Sequence, residues 1–326
     1  MRSLHCFLLA ISLTAAAPQV TAQEWPNRPI KVVVPFAPGG ATDLVARVVV
    51  RRMSEILGQP MPIENRAGAS GNIGVAVVAA AAPDGYTVLV GNVSTNSLNP
   101  VMQSRTLKVD PGRDLEPVGG IAAVQNVLVG TNAGTLPPNT FQDFLRYARE
   151  NPGKLNYSSG GVGSYGHLDM LVLSRAAKLD MVHVPAVAGA GGSTNVQSGL
   201  VHTTFLNAAN ALTGIRAKQL KPLAVTGPKR LAQLPETPTL TELGHPTIGT
   251  ANWAGMFAPK GTPPALIKRL NQALHQALAS PEVLKTYDNN AIDAWGQSSA
   301  EEFGMFVSQE RERFRRIIQE NDVPLL

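Results

Sequence analysis

Residues 30–58 read IKVVVPFAPGGATDLVARVVVRRMSEILG, and this stretch decides the fold of the chain. Ile30–Pro35 is a short β-branched run, which predicts a buried strand. Residues 43–57 repeat apolar side chains at helical spacing, and Gly58 follows as a stop signal. The next segment, MPIEN (61–65), predicts a second strand. Strand, glycine loop, helix and strand in this order are typical of a βαβ unit with a parallel sheet.

The same alternation continues along the chain. Further strands are predicted at 87–92, 126–130, 155–159, 180–185, 201–206 and 220–227, and further helices at 73–82, 141–150 and 167–177, with the start of a short helix at 195–198. Many prolines follow Thr226, and two helices, 263–279 and 300–319, complete the chain. The pattern predicts an α/β protein with more than one sheet.

Three loops combine glycine with small polar residues, each between a predicted strand and a predicted helix. They are FAPGGATD (36–43), SSGGVGSYG (158–166) and AVAGAGGST (186–194). A helix start leaves backbone N–H groups unpaired and carries a partial positive charge, and glycine lets a ligand approach these groups closely. Three such loops directed toward one crevice predict an anion site that needs no basic side chain.

The second loop also has the GxGxxG spacing, at Gly161, Gly163 and Gly166. A dinucleotide site expects this motif in the first βα turn, with an acidic residue at the end of the following strand. Here the motif lies in mid-chain, and the nearby acid, Asp180, begins the next strand. The sequence therefore favours neither NAD nor any other cofactor.

Other enzyme and metal signatures are missing from the sequence. It contains no GxxxxGK[ST] and no GxSxG, its single cysteine is Cys6, and no two histidines after residue 22 form HxxxH. We therefore expect no metal site. Two residues keep two interpretations each: Asp43 caps its helix or contacts a polar ligand group, and His167 is a structural hydrogen-bonding residue or a ligand contact.

The first 22 residues are typical of a secretory signal peptide. Arg2 precedes an apolar run of about 12 residues, too short to span a bilayer, and Val20 and Ala22 provide small residues before a cut. Cleavage after Ala22 would export a mature chain that starts at Gln23; an uncleaved membrane anchor is the alternative. The net charge is +5, but the basic run RERFRR (311–316) lacks interleaved aromatic residues. We expect it to be a solvated helix face, and we expect no nucleic-acid partner.

Several segments resemble, in order, the motifs of one known family. They are WPNRPIKVVVPFAPGGATDLVAR (25–47), IENRAGASGNIG (63–74), APDGYTVLVGN (82–92), NPGKLNYSSGGVGSYGHL (151–168), HVP (183–185), LAVTGPKRLAQLPETPTLTELG (223–244) and WAGMFAPKGTPP (253–264). The chain resembles the tripartite tricarboxylate transporter receptors, the Bug-type periplasmic solute-binding proteins. The resemblance implies a type II periplasmic-binding-protein fold, in which two α/β lobes close on a small organic carboxylate in a central cleft. It also implies delivery to integral-membrane transporter subunits.

The resemblance also implies which residues bind the ligand. From the first lobe these are Phe36, Ala37, Gly39 and Gly40, with Asp43 nearby, and Asn92, Ser94 and Thr95 after the third strand; from the second lobe they are Ser158, Ser159, Gly161, Gly163, Ser164 and His167, with Ala186 and Asn207. Backbone N–H groups, hydroxyls and ordered waters are expected to hold the carboxylates, without an obligatory arginine.

Two positions depart from the family pattern. After HVP the family usually has tyrosine and lysine, where this chain has Ala186 and Val187; after the next strand it usually has FD, where this chain has Phe205-Leu206, followed by Asn207. Both changes remove polar groups near the second-lobe wall. They predict a roomier or more apolar pocket, in which an aromatic or longer-chain carboxylate becomes plausible.

The resemblance divides the chain into lobe 1, residues 25–122 plus 225–326, and lobe 2, residues 123–224, after the signal peptide at 1–22. The expected hinges are at 121–123 and 225–226, and the expected state is a monomer without catalysis. Two alternatives remain open. One is a secreted hydrolase-like enzyme, with Ser164 and His167 as a pair that lacks an orienting acid. The other is a ligand sensor that docks on a signalling receptor.

Overall fold

Two β-sheets flanked by helices organise the chain. The computed structural model describes residues 25–134, 139–185, 191–246, 248–249 and 252–326. The predicted signal peptide, residues 1–22, and the predicted site residue Ala186 lie outside these ranges.

The strands of the described residues alternate with helices. The strands are β1 Lys31–Val34, β2 Ile63–Asn65, β3 Thr87–Asn92, β4 Leu115–Val124, β5 Asn126–Thr131, β6 Leu155–Ser159, β7 Met181–Pro185, β8 Thr203–Asn207, β9 Leu220–Val225, β10 Asn252–Pro259 and β11 Ile292–Ala294. The helices are α1 Ala41–Leu57, α2 Asn72–Ala79, α3 Asn99–Met102, α4 Pro111–Asp114, α5 Phe141–Glu150, α6 Tyr165–Ala177, α7 Gly191–Gln197, α8 Ala208–Arg216, α9 Pro264–Leu278, α10 Pro281–Asn289 and α11 Ala300–Glu320. A π-helical turn, Ser94–Leu98, precedes α3.

The two sheets repeat one strand order. The first sheet is β2-β1-β3-β10-β4-β11, and the second is β7-β6-β8-β5-β9. In each sheet the first three strands are parallel, and the fourth, β10 or β5, runs antiparallel to its neighbours. Strand β5 is the first strand after the chain enters the second sheet, and β10 is the first strand after it returns to the first sheet. This confirms the expectation of an α/β protein with two lobes.

The chain passes between the sheets at two places. Strand β4 of the first sheet leads through Gln125 into β5 of the second. At the return, Thr226 follows β9 and bonds to the start of β5: the Asn126 N–H donates to Thr226 Oγ1 at 2.8 Å, and the Thr226 N–H donates to Asn126 O at 2.8 Å. Ala122 and Ala123 of the predicted hinge at 121–123 pair with β10 inside the first sheet, and the first passage follows them.

The two long helices beside the first sheet follow local rules. Helix α1 buries Val45, Val49 and Met53 at helical spacing, and ends at Gly58 with φ 68°. Helix α11 starts with a capping box, in which Ser299 and Glu302 satisfy each other's backbone N–H groups. Helices α1, α9 and α10 pack on one face of the sheet, while α11 packs on β4 and on the π-helical turn. The core clusters thus cover the sheet on both faces.

Four longer elements of the structure are missing from the predicted pattern: β4, β10, α8 and α10. Strands β4 and β10 are mostly or fully buried, so neither alternates polar and apolar residues, and β4 contains Gly119-Gly120, which suggests a turn. In the structure a Cβ at Gly120 would overlap the Trp295 ring, and a Cβ at Gly255 of β10 would overlap Phe303. These glycines serve close packing rather than a turn.

Candidate functional site

A cavity of about 100 Å³ lies between the two lobes. Seven predicted site residues line it: Phe36, Gly40, Asn92, Ser94, Ser159, Ser164 and Asn207. Eleven further lining residues were not predicted: Ala41, Thr42, Gly160, Tyr165, Gly166, Gly192, Thr204, Phe205, Leu206, Asn210 and Asn252. The predicted residues Ala37, Gly39, Asp43, Thr95, Ser158, Gly161, Gly163 and His167 do not line it. Most of these stand directly beside residues that do.

The start of helix α1 forms part of the first-lobe wall. Gly40 is its N-cap residue and has no side chain that could occupy the first N–H groups, and Gly40, Ala41 and Thr42 all line the cavity. The positive end of the helix dipole is therefore presented to the cavity. An anion at this position would meet N–H groups that no protein side chain caps.

Asp43 holds this loop from behind rather than facing the cavity. Its carboxylate accepts hydrogen bonds from the Gly39 N–H at 2.9 Å, from Arg47 Nε at 2.8 Å and from Asn65 Nδ2 at 2.9 Å. Burial raises the pKa of Asp43, but the hydrogen bonds from Arg47, Asn65 and Gly39 outweigh it and hold the pKa below its ordinary value. Of the two interpretations of Asp43, the structural one fits these contacts.

The π-helical turn supplies the next part of the wall. Asn92 Oδ1 accepts from the Ser94 and Thr95 N–H groups at 3.0 and 3.3 Å, and Asn92 Nδ2 donates to Thr42 Oγ1 at 3.0 Å. Asn92 thereby ties the turn to the start of α1. Thr95 is fully buried and uses its hydroxyl within the turn, so it shapes the loop without reaching the cavity.

The start of helix α6 is the corresponding part of the second lobe. Ser164 is its N-cap residue, but the Ser164 hydroxyl makes no capping bond and has no hydrogen-bond partner among the described residues, although it is buried. The Tyr165 N–H donates to Ser94 Oγ of the first lobe at 3.4 Å. The two lobes thus meet at the cavity through polar groups, and Ser164 leaves a buried hydroxyl available for a ligand.

Two histidines, His167 and His183, lie beneath this glycine loop with their rings tilted by 38° to each other. The Gly163 N–H donates to His167 Nδ1 at 3.3 Å, and His183 Nε2 lies 2.8 Å from Ser159 Oγ. The His167 and His183 ring centroids are 4.3 Å apart. Burial, and secondarily His183, lowers the pKa of His167 to about 4, and burial also lowers the pKa of His183. Both rings are therefore neutral near pH 7 and support the loop from below.

The end of strand β8 completes the second-lobe wall with Phe205, Leu206 and Asn207. Asn207 caps helix α8, its Oδ1 accepting from the Asn210 N–H at 3.0 Å. The helix was not predicted, but an asparagine that directly follows an apolar strand is a typical N-cap signal that could have indicated it. This apolar wall includes Leu206, the position at which the family usually has an aspartate.

The described lining of the cavity contains no acidic, lysine, arginine or histidine side chain. Its electrostatic character therefore comes from hydroxyls, amides and the N-terminal ends of helices α1, α6 and α8, each of which contributes about half a positive charge. In a confined space this favours an anion.

The described residues were also compared with a metal site, a membrane span and a nucleophile–base pair. Among them, no group of three or more side chains is placed to hold a metal ion, and no helix has the length and hydropathy to cross a bilayer. Ser164 and His167 form no nucleophile–base pair, since the Ser164 hydroxyl lacks a partner and His167 Nδ1 accepts from Gly163.

Comparison with known proteins agrees with this geometry. Residues 45–323 match the profile of the Tripartite tricarboxylate transporter family receptor. The chain is similar to the protein BugT of Bordetella pertussis, at 32% identity over 322 residues, 97% of this chain and 96% of BugT. It is also similar to two solved structures. R. palustris Rpa4515 with adipate has 33% identity and a TM-score of 0.86, covering 93% of this chain and 100% of that one; MatC from Rhodopseudomonas palustris with bound malate has 31% identity and a TM-score of 0.84, covering 90% and 100%. The predicted two-lobed periplasmic-binding-protein fold is confirmed.

Proposed function

This chain belongs to the tripartite tricarboxylate transporter receptor family, and from that premise we propose that it is a periplasmic solute-binding protein for a small organic carboxylate. It captures the carboxylate between lobe 1, residues 25–122 plus 225–326, and lobe 2, residues 123–224. It then delivers the ligand, as a monomer, to the integral-membrane subunits of a tripartite tricarboxylate-type transporter.

One observation carries the proposal. The interlobe cavity brings together the starts of α1 and α6, whose N-cap residues make no side-chain capping bond, and the buried Ser164 hydroxyl, which has no partner among the described residues; the described lining is free of charged side chains. A carboxylate fits such a site, because its oxygens accept from N–H and O–H donors and its charge complements the helix ends. Solved relatives with adipate and malate support the same ligand class.

The apolar part of the cavity wall narrows the class of candidate ligands further. Phe36, Phe205 and Leu206 line the cavity beside the polar groups, so we propose a carboxylate with an apolar body, such as an aliphatic dicarboxylate. Burying methylene groups there contributes about 0.8 kcal/mol each, whereas a hydroxyl or ammonium group on the body would need partners of its own.

A thermal-shift panel of adipate, malate, citrate, benzoate and glutamate tests the proposal. A ligand at 100 times its Kd stabilises the folded state by about 2.7 kcal/mol, which raises Tm by several degrees in a chain of this size. We expect the largest shift from adipate. A shift from neutral or cationic solutes, with none from any carboxylate, would contradict the proposed ligand class.

Location and delivery are tested in cells. The mature protein should appear in the periplasmic extract with Gln23 at its N-terminus. Deleting its gene should abolish uptake of the acid identified by thermal shift, and uptake should return with the wild-type gene. Undiminished uptake in the deletion strain would favour a sensory role instead.

Leu206 offers a test of the apolar wall. Replacing Leu206→Asn should lower the affinity for adipate by about tenfold, the equivalent of 1.4 kcal/mol, because the amide replaces apolar contact area and needs partners. Leu212→Asn is the matched control, because Leu206 and Leu212 belong to the same buried cluster but Leu212 does not line the cavity; it should leave the affinity of the folded protein unchanged. Titration calorimetry measures both, and equal affinities would exclude Leu206 from the ligand contact.

A further inference from the structure

Arg311 lies in the middle of helix α11, and its side chain is only 16% exposed. Its Nε donates to Asn96 O at 2.8 Å, and its Nη1 pairs with Asp110 Oδ1 at 3.1 Å. A Cβ on Gly112 would overlap the guanidinium. A tightly enclosed guanidinium thus bridges α4 and the π-helical turn Ser94–Leu98.

This turn supplies part of the interlobe cavity. It is fully or almost fully buried, and it follows Asn92 and carries Ser94, both of which line the cavity. Its internal bonding is incomplete, since Asn96 Nδ2 has no partner among the described residues. Two side-chain bonds join the turn to α11: Arg311 Nε to Asn96 O, and Ser97 Oγ to Val307 O at 3.1 Å. A π-helical turn is a rare variant of an α-helix, so such outside contacts help select it over the ordinary register.

We propose that Arg311 is a positioning residue for ligand binding: its hydrogen bond to Asn96 O holds the π-helical turn so that Asn92 and Ser94 face the cavity. This inference rests on the proposed function for the identity of the ligand. The contacts of Arg311 with Asn96 and Asp110 do not depend on it. Arg311 itself does not line the cavity.

Three variants separate positioning from general stabilisation. Arg311→Met removes both contacts of the guanidinium. Asp110→Asn weakens the ion pair but leaves the hydrogen bond from Arg311 to Asn96 O. Its amide oxygen can still accept the hydrogen bond that the Gly112 N–H donates to Asp110 Oδ1. Arg315→Met is the matched control on the same helix, since Arg315 is half exposed and pairs with Glu312.

Hydrogen–deuterium exchange on the ligand-free proteins measures the turn directly. In Arg311→Met, amides of residues 92–102 should exchange at least tenfold faster, while amides of β6 keep their wild-type rates. Asp110→Asn and Arg315→Met should leave both regions unchanged. Unchanged exchange at 92–102 in Arg311→Met, or an equal acceleration throughout the molecule, would overturn the proposal.

Adipate titrations at 20 and 300 mM NaCl provide the functional readout. Arg311→Met should bind adipate about tenfold more weakly than wild type at both salt concentrations, because a displaced turn does not respond to screening. A loss that disappears at 300 mM would mean that Arg311 acts through its charge, and would overturn the positioning role. If wild type binds no carboxylate, the proposed function fails, while the exchange experiment still decides the role of Arg311.

Discussion

Ser164 is a buried hydroxyl at a helix start that makes no bond to the described protein residues. Leaving a buried polar group unpaired costs free energy, so such a group is expected where a ligand completes it. Because Ser164 also lines the interlobe cavity, its hydroxyl is a candidate ligand contact, whereas the glycines around it could equally serve a simple turn.

Ser164→Ala should lower carboxylate affinity about tenfold or more, since a hydrogen bond to a charged group contributes roughly 1.5–3 kcal/mol. The Tm of the ligand-free protein should not fall, because no protein hydrogen bond is lost. Ser174→Ala is the matched control: Ser174 is also on α6 and its hydroxyl is also buried without a partner, but it does not line the cavity. Calorimetry that found equal losses in the two variants would contradict a ligand contact at Ser164.

His167 makes stability depend on pH. Its folded pKa of about 4 lies below the ordinary value of 6.5, because burial and His183 disfavour the charged ring. Between these values the unfolded chain binds a proton that the folded chain excludes, so the contribution of His167 is fully present above about pH 6.5 and declines toward pH 4. Burial lowers the pKa of His183, His202, His245 and His275 in the same direction.

His167→Asn should reduce this pH dependence. Asparagine keeps an acceptor close to the position of Nδ1 for the Gly163 N–H but cannot titrate. The variant should therefore lose less Tm than wild type between pH 7 and 4.5, although its Tm at pH 7 is lower because of the smaller side chain. Thermal melts across this range measure how steeply Tm falls with pH. Between pH 7 and 8.5 the Tm of the two proteins should change with pH to the same extent. Equal slopes below pH 6.5 would rule out His167 as the titrating group.

At the scale of elements, loop 36–43 and helix α1 act as one unit. The loop is held by the Asp43 carboxylate, which joins Gly39, Arg47 and Asn65. Because Asn65 Nδ2 also donates to Phe36 O at 2.9 Å, strand β2 supports the loop on its far side. The start of α1 is thus placed by residues that do not line the cavity.

Asp43→Asn should lower the free energy of unfolding by roughly 2 kcal/mol, since hydrogen bonds to a charged acceptor are weakened. It should also weaken ligand binding, because Phe36 and Gly40 line the cavity. Glu55→Gln is the control on the same helix: Glu55 is exposed and pairs with Arg52, a contact worth less than about 1 kcal/mol. Urea unfolding and calorimetry measure both effects, and wild-type stability in Asp43→Asn would show that the loop does not depend on this carboxylate.

At the scale of the whole molecule, polar contacts away from the two passages join the lobes. Ser70 Oγ donates to Val162 O at 3.1 Å, the Tyr165 N–H donates to Ser94 Oγ at 3.4 Å, and Arg175 Nη2 donates to Asp322 O at 2.8 Å. These polar contacts are few and mostly exposed, whereas one apolar cluster contains buried residues of both lobes, among them Met102 and Ile318 of lobe 1 and Leu168 of lobe 2. A ligand that bonds to both lobes would further stabilise the arrangement in which they meet.

Ligand binding should therefore make the protein more compact. The radius of gyration from small-angle X-ray scattering should decrease when the identified carboxylate saturates the wild-type protein. Ser164→Ala, at a concentration that saturates only wild type, should keep the larger ligand-free value. An unchanged radius in saturated wild type would mean that capture does not involve closure of the lobes.

The amino-acid sequence by itself determined the α/β class, the glycine loops and the family. These follow from short-range rules: β-branched runs, helical spacing in α1, and glycine between a strand and a helix are all visible within about 20 residues. The same rules missed β4 and β10, because a fully buried strand has no alternation and because Gly120 and Gly255 make room for Trp295 and Phe303, which are distant in sequence.

Only the tertiary structure decided which residues face the cavity. Asp43 and His167 are sequence neighbours of lining residues, yet their side chains bond to the loops from behind. Thr204, Asn210 and Asn252 line the cavity, although no local motif predicts this. The physical reason is that a side chain's direction depends on partners far along the chain, such as Asn65 for Asp43 and His183 for His167. A sequence pattern specifies the element, and the packing of two lobes specifies the site.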